Sequence, residues 1–261
     1  MLNNIIKTSE VKKIAILIPC TSNGRDWTTL KETYLFNMTL KSFLLSYDKE
    51  HTYTLYIGID RNDKIFDKYE TQHEVIRFIS VMKHISVEFV YLDNIVKGHL
   101  TKMWNILFEI AYKANHDYFF QCGDDIVFTT KGWVNDCIKT LKRNGNMGLV
   151  GPINNNLRIL TQCFVSKKHY EIFGYFFPNE IVNWCCDDWI NEVYKPNMFF
   201  PLANHFCSNQ GGNPRYIINN DHEFNGIECL NKLKKEVAVY IERDKEKIKN
   251  IIRMEYPHIP M

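Results

Sequence analysis

The sequence predicts an α/β fold: a mostly parallel sheet flanked by helices, followed by a loop-rich half of mixed strands. Three observations predict it. Short continuous apolar runs, such as IAILIPC at 14–20, have the length and β-branched content of strands covered on both faces. They alternate with longer segments whose apolar residues recur at helical spacing, the pattern of βαβ units. After Gly145 this alternation gives way to shorter apolar runs with long connections.

In chain order, IAILIPC is the first strand, closed by its proline, and 28–46 carries apolar residues at helical spacing. YTLYIGID (53–60) is a second strand, 67–85 a second helix, and VEFVYL (87–92) a third strand. A glycine opens the third helix, KGHLTKMWNILFEIAYKA (97–114), and YFFQC (118–122) is a fourth strand. Residues 131–145 form a further helix ending at Gly145. MGLVGPINNN, ILTQCFVS and PRYIIN read as shorter strands around an aromatic, loop-rich stretch at 173–194. The tail, 237–254, reads as a charged amphipathic helix on the surface. No repeat or low-complexity linker interrupts the chain, so 1–261 reads as one domain with halves at about 13–128 and 129–222 and C-terminal helices over 223–261.

Composition narrows the function classes. A net charge of +2 over 261 residues, with no basic stripe, gives no footprint for a nucleic-acid partner. No segment holds the run of about 20 apolar residues that crosses a bilayer, and the first residues lack the apolar core of a signal peptide. The eight cysteines contain no C-x-x-C pair, which in a chain of this size reads as reduced thiols in a cytoplasmic protein.

The unusual feature is YFFQCGDDIVF (118–128), where a buried-looking strand stops at two adjacent aspartates. Asp124 and Asp125 follow the carboxyl end of a strand, where open α/β sheets hold their ligands. Neighbouring carboxylates repel unless a cation neutralises them, and oxygen donors without thiolate or imidazole favour a hard divalent ion, Mg²⁺ or Mn²⁺. Side chains of adjacent extended residues point to opposite faces. The strand is therefore expected to break at Gly123, leaving Asp125 on the metal and Asp124 on a ribose or an outer water. Taken alone, GDD is equally a polar turn ending a strand.

Four motifs in sequence carry a resemblance: IPCTSNGR, YIGID, KGHLTKMWNILFEIA and the run into CGDDI. In this order they resemble the nucleotide-binding half of GT-A-fold glycosyltransferases, particularly the family-2-like group, over approximately 13–222. The resemblance implies a GT-A-like, Rossmann-like sheet and a D-x-D-type motif holding Mn²⁺ or Mg²⁺ on the diphosphate of a nucleotide sugar. It departs at Cys122, which stands where the family's first aspartate falls, so the metal site reduces to Asp124 and Asp125. Carried over, Pro19, Thr21 and Arg25 resemble nucleotide contacts, and Asp60 the acid that reaches base or ribose. Gly98, Lys102 and Asn105 resemble the positions opening the third helix. A helix N-terminus also attracts anions on physical grounds. Lys102 reads equally as a solvated helix residue, and Asn105 equally as a cap or core hydrogen bond.

A second pair, Asp187 and Asp188, sits among bulky apolar residues in NWCCDDWINEVY, where loss of water raises a carboxylate's pKa toward base-catalyst range. In the resembled enzymes an acidic pair opens a short helix and one member deprotonates the acceptor. Asp188 occupies the second place and is expected to be the base, with Asp187 orienting the acceptor or merely capping the helix. Trp184 and Trp189 are candidates for an acceptor platform or for the core. His222, with His205 as competitor, resembles the late histidine that completes the metal shell in many such enzymes, and reads equally as a structural histidine. Arg215, in NQGGNPRY, could close over the diphosphate.

The expectation is an inverting transferase moving a sugar, from a UDP-sugar foremost, to a hydroxyl of a glycan, protein or small molecule. A nucleotidyltransferase making nucleotide sugars is the alternative, against which IPCTSNGRDW lacks a glycine-rich phosphate loop. The other is a non-catalytic carbohydrate-binding relative.

Overall fold

The chain enters the sheet at β1 (Lys13–Cys20), whose alternate residues serve two cores. Ile14, Ile16 and Ile18 face Leu40, Phe43, Val75 and Trp133. Ala15 and Leu17 face Leu107, Phe108 and Trp189. A strand buried on both faces needs apolar residues at every position, which is why the run is continuous rather than alternating. Burying one such aliphatic side chain is worth about 1.5–3 kcal/mol, so β1 is the spine of the molecule. This is a computed structural model, and it describes residues 10–212 and 227–255.

β2 (Thr52–Ile59) and β3 (Ile85–Tyr91) pair parallel on one side of β1. β4 (Tyr118–Gln121) pairs parallel on the other. Beyond it come β5 (Ile126–Phe128), β6 (Leu149–Ile153), β7 (Cys163–Ser166) and β8 (Phe199–Asn209), giving the order β3-β2-β1-β4-β7-β6-β8-β5. Only β7 and β5 run against the rest. Helices α1 (Lys41–Ser46), α2 (Tyr69–Ile79) and α4 (Trp133–Arg143) cover one face. The other face carries α3 (Leu100–Lys113), α5 (Lys168–Phe173), α6 (Cys186–Tyr194) and α7 (Ile227–Glu255). The expected mostly parallel sheet flanked by helices, with a mixed second half, is borne out.

Several local expectations need correction. The segment 28–46 is not one helix: a short 3₁₀ turn (Leu30–Glu32) and a π-helical turn (Leu35–Leu40) precede α1. Helix α2 ends at Ile79, and strand β3 begins at Ile85, the last residue assigned to the preceding helix. Strands β5 and β8 and helix α5 were not expected. In β8, Pro201 interrupts the donor ladder and exposed and buried residues do not alternate cleanly, so no period marks it. The tail helix is amphipathic as expected, with Val237, Asp244, Ile248 and Ile252 as its buried stripe, but it begins earlier, at Ile227. PRYIIN lies outside the described residues.

Candidate active site

Strand order reverses between β1 and β4, and at their carboxyl ends two cavities lie side by side. The first, about 230 Å³, lies between the loop after β1 and the loop after β2, with Thr21, Ser22, Asp60, Lys64 and Lys97 in its wall. One residue absent from the sequence reading holds it together. Asp63, 9% exposed, accepts hydrogen bonds from Ser22 N and Ser22 Oγ (both 2.7 Å) and from Thr21 Oγ1 (3.2 Å). It also accepts from the backbone N–H groups of Ile65 and Phe66 (both 2.9 Å), an Asx-type turn. Burial pushes its pKa up, but these bonds outweigh burial and hold it below the usual carboxylate range. Thr21 also lies 3.4 Å from Asp60 Oδ2, so Thr21 and Asp60 meet at this cavity. Arg25 reaches past this cavity to donate to Gly211 O (3.1 Å), with its guanidinium over the Tyr34 ring at 5.5 Å.

The second cavity, about 260 Å³, opens where β4 ends. The chain leaves the ladder after Gln121 and turns through Gly123, Asp124 and Asp125 before β5 resumes. The π-helical turn and α1 together pin this break. Thr39 Oγ1 accepts from Ile126 N (3.0 Å), and Ser42 Oγ accepts from Phe128 N (3.1 Å). The two carboxylates part company there. Asp124 is fully enclosed and accepts from the Cys20 thiol (3.3 Å), so it reaches no ribose in either cavity. Asp125 lines the second cavity, as do Pro19 and Trp104.

The opposite wall is the start of α6. Its N-cap, Cys185, has φ of 67°, a left-handed conformation that turns the chain sharply into the helix. Asp187 lines the cavity, and Asp188 does not. Withdrawal from water, and then the neighbouring Asp188 charge, push the pKa of Asp187 up to about 7. The buried Asn191 amide fixes this turn by donating to Asp187 O (2.8 Å) and Leu160 O (2.7 Å).

Other expected site residues lie elsewhere. Trp184, 43% exposed, lines the cavity, whereas Trp189 is fully buried and its indole donates to Asp244 (3.2 Å), which makes it core. Asn105 bonds the 176–179 segment through Phe176 N and Phe177 N (both 2.9 Å) and Phe177 O (2.7 Å), a structural clamp with no amide atom left over for a nucleotide. Lys102 is exposed on α3 and lines neither cavity. Gly98, at φ 86°, makes the left-handed turn into α3 that a side chain would strain. His205 bonds Asp136 (2.9 Å) and Thr130 (3.1 Å) away from Asp125. His222 and Arg215 lie outside the described residues.

No family model and no curated protein matches the chain. Solved structures do. A mannosyltransferase from Pyrobaculum calidifontis, PcManGT, in complex with GDP-Man and Mn²⁺, is similar at 9% identity and a TM-score of 0.53, over 97% of this chain and 78% of that one. S. aureus TarS 1–349 in complex with UDP-GlcNAc is similar at 13% identity and a TM-score of 0.55, over 87% and 66%. The fold is GT-A-like. The match spans only 36% of the longer TarS chain.

Whether these residues fit a divalent ion can be tested on the donor set. Among the described residues no three His, Cys, Asp or Glu side chains gather as a metal cluster. Asp125 is held instead between two glycines, because a Cβ at Gly123 or Gly211 would strike its carboxylate. One clamped carboxylate at a cavity fits a hard cation whose remaining ligands are phosphate and water oxygens. It does not fit a site built by the protein alone.

Gly123→Ala is therefore expected to move the Asp125 carboxylate while changing stability by less than about 1 kcal/mol, since the added methyl meets the carboxylate oxygen and a side-chain tip yields more readily than backbone. Calorimetry should show Mn²⁺-assisted nucleotide uptake weakened at least about tenfold with the melting temperature nearly unchanged. Unchanged uptake would remove Asp125 from the metal.

Proposed function

We propose that this chain is a glycosyltransferase moving a sugar from a nucleotide sugar to an acceptor hydroxyl. The observation that carries this reading is that Asp125 and Asp187, from opposite walls, converge on one cavity at the topological switch point, beside a second polar cavity. The cavity between the loops after β1 and β2, with Thr21, Asp60, Lys64 and Lys97, suits the nucleotide: carboxylate and hydroxyl for a ribose or base, ammonium groups for phosphate. Asp125 would hold the divalent ion, Mn²⁺ or Mg²⁺, which when bound neutralises the diphosphate leaving group.

The remaining chemistry belongs to the chain. Asp187, at the positive end of α6, is the base in this reading, in place of Asp188. As the acceptor oxygen bonds to the anomeric carbon and the carbon–diphosphate bond breaks, the hydroxyl proton passes to an Asp187 carboxylate oxygen. A single displacement of this kind inverts the anomeric centre. Trp184 offers a partly exposed ring to the apolar face of a sugar.

A screen of UDP- and GDP-sugars with and without MnCl₂ tests the proposal. The expected outcome is metal-dependent nucleotide binding and slow hydrolysis of one donor, with a UDP-sugar foremost. An absence of nucleotide uptake at millimolar concentration would overturn it. Consumption of NTP and sugar phosphate with release of pyrophosphate would replace it with nucleotide-sugar synthesis.

A further inference from the structure

We propose that Gln121 reads a hydroxyl or amide N–H of the transferred sugar, and so helps to set which donor is used. The inference rests on the transferase reading. Gln121 ends a strand that is otherwise Tyr-Phe-Phe, in the middle of the sheet, facing Leu17 on β1 and Cys163 on β7. It is 1% exposed and lines the cavity that holds Asp125 and Asp187. Its Oε1 atom is fully buried and has no hydrogen-bond partner among the described residues.

The hydrogen bonds of the residues beside it are directed elsewhere. Pro19 has no N–H. The Trp104 indole N–H is directed at Cys122 O (3.3 Å). Gln162 Oε1 is itself an acceptor, taking protons from Thr161 Oγ1 (3.0 Å) and Cys207 Sγ (3.4 Å). A buried acceptor left unpaired is costly, and native proteins rarely keep one without a use. The group that would satisfy it must be a donor. A diphosphate at neutral pH carries only acceptors on its bridging and charged oxygens. A sugar hydroxyl or acetamido N–H carries the proton required. Sites built to bond such a group discriminate strongly against analogues lacking it.

Gln121→Met keeps the side-chain length and removes the acceptor. With MnCl₂ present, calorimetry would compare UDP, GDP, UDP-GlcNAc, UDP-glucose, UDP-galactose and GDP-mannose on both proteins. The variant is expected to bind the free nucleotides within about twofold of the parent and the preferred nucleotide sugar at least about tenfold more weakly. It should melt no lower than the parent, because an unpaired buried oxygen has been removed. One deoxy analogue of the preferred donor should lose affinity for the parent and lose nothing further on the variant.

Equal weakening of nucleotide and nucleotide sugar would overturn the inference by placing the amide on phosphate or metal. Unchanged sugar binding would overturn it directly. A variant that melts several degrees lower or fails to fold would assign the amide to the fold, and also overturns it. If the parent protein binds nothing on the panel, the transferase reading itself fails, a result visible before any substitution is made.

Discussion

Asp187→Asn is expected to lower sugar transfer by about 10²- to 10⁴-fold, the usual contribution of a positioned base, while nucleotide binding stays within a factor of about three. Asparagine keeps the shape of the side chain but cannot take a proton. The pH profile separates this role from a positional one. With its pKa at about 7, Asp187 is half-ionised near neutrality, so the parent's rate should rise from pH 6 to pH 8 with an inflection close to 7. The residual rate of the variant should lack that inflection. Near-normal turnover in Asp187→Asn would return the base role to Asp188.

The same raised pKa predicts a stability change of opposite sign. Above the ordinary carboxylate value of 3.8, an unfolded chain gives up this proton while the folded protein retains it up to about 7. The group's contribution to stability is therefore fully present below about pH 4 and is lost as pH rises through 7. At pH 8 the parent carries an ionised carboxylate in a poorly hydrated wall, and the variant does not. Asp187→Asn should then be more stable than the parent at pH 8, by on the order of 1–3 kcal/mol once partial solvation is allowed for. The gain should shrink toward pH 4. A loss of activity accompanied by a gain in stability is the mark of a functional residue held in an unfavourable place.

Much of this site was legible in the sequence because two signals survive without long-range information. Continuous apolar runs mark covered strands, and acids at a strand's carboxyl end mark the ligand edge of the sheet. Choosing between Asp187 and Asp188 needed the roll of α6, and that too was partly written in the chain. Asp188 shares a helix face with Glu192 and Lys195, at i+4 and i+7, and these side chains keep 41% and 28% of their exposure. Asp187 shares its face with Asn191, which is fully buried. The helical period therefore places Asp188 toward water and Asp187 toward the interior. It likewise puts Trp189 in the buried stripe with Cys186, Ile190 and Val193, while Trp184 precedes the helix and escapes that stripe. Asp63 and Gln121 were not legible. Asp63 sits in an aperiodic loop, and its role depends on Ser22, 41 residues away. Gln121 looked like one polar residue in a strand, and only the folded structure shows its Oε1 buried without a hydrogen-bond partner among the described residues.

Asp244→Ala is expected to destabilise the protein by about 1–3 kcal/mol, the cost of leaving a buried donor without its acceptor. Asp244 occupies a position in the α7 stripe where the period of Val237, Ile248 and Ile252 calls for an apolar residue, and it is fully buried. Its Oδ2 accepts from Tyr175 OH (2.9 Å), Trp189 Nε1 (3.2 Å) and Arg243 Nη2 (2.8 Å). Its Oδ1 accepts from Arg243 Nε (3.1 Å) and Lys247 Nζ (2.9 Å). Burial pushes the pKa up, but the Arg243, Lys247 and Tyr175 bonds prevail and hold it below the usual carboxylate range. The stability this supplies is present above about pH 4 and is lost as pH falls through the lowered value, so the variant should flatten the acid limb of unfolding. Urea denaturation at pH 7 and pH 4 would measure both effects, and a loss below about 1 kcal/mol at pH 7 would refute the argument. The two bases are each 40% exposed and can turn to water when the carboxylate goes. The Trp189 N–H is buried and cannot. Asp244→Leu should thus remain destabilising, and adding Trp189→Phe should recover about 1 kcal/mol by removing the orphaned donor. Because Trp189 lies two residues after Asp187, Asp244→Ala should also lower sugar transfer at temperatures where the protein is still folded. The tail helix fixes the roll of α6, and that roll aims the Asp187 carboxylate into the cavity.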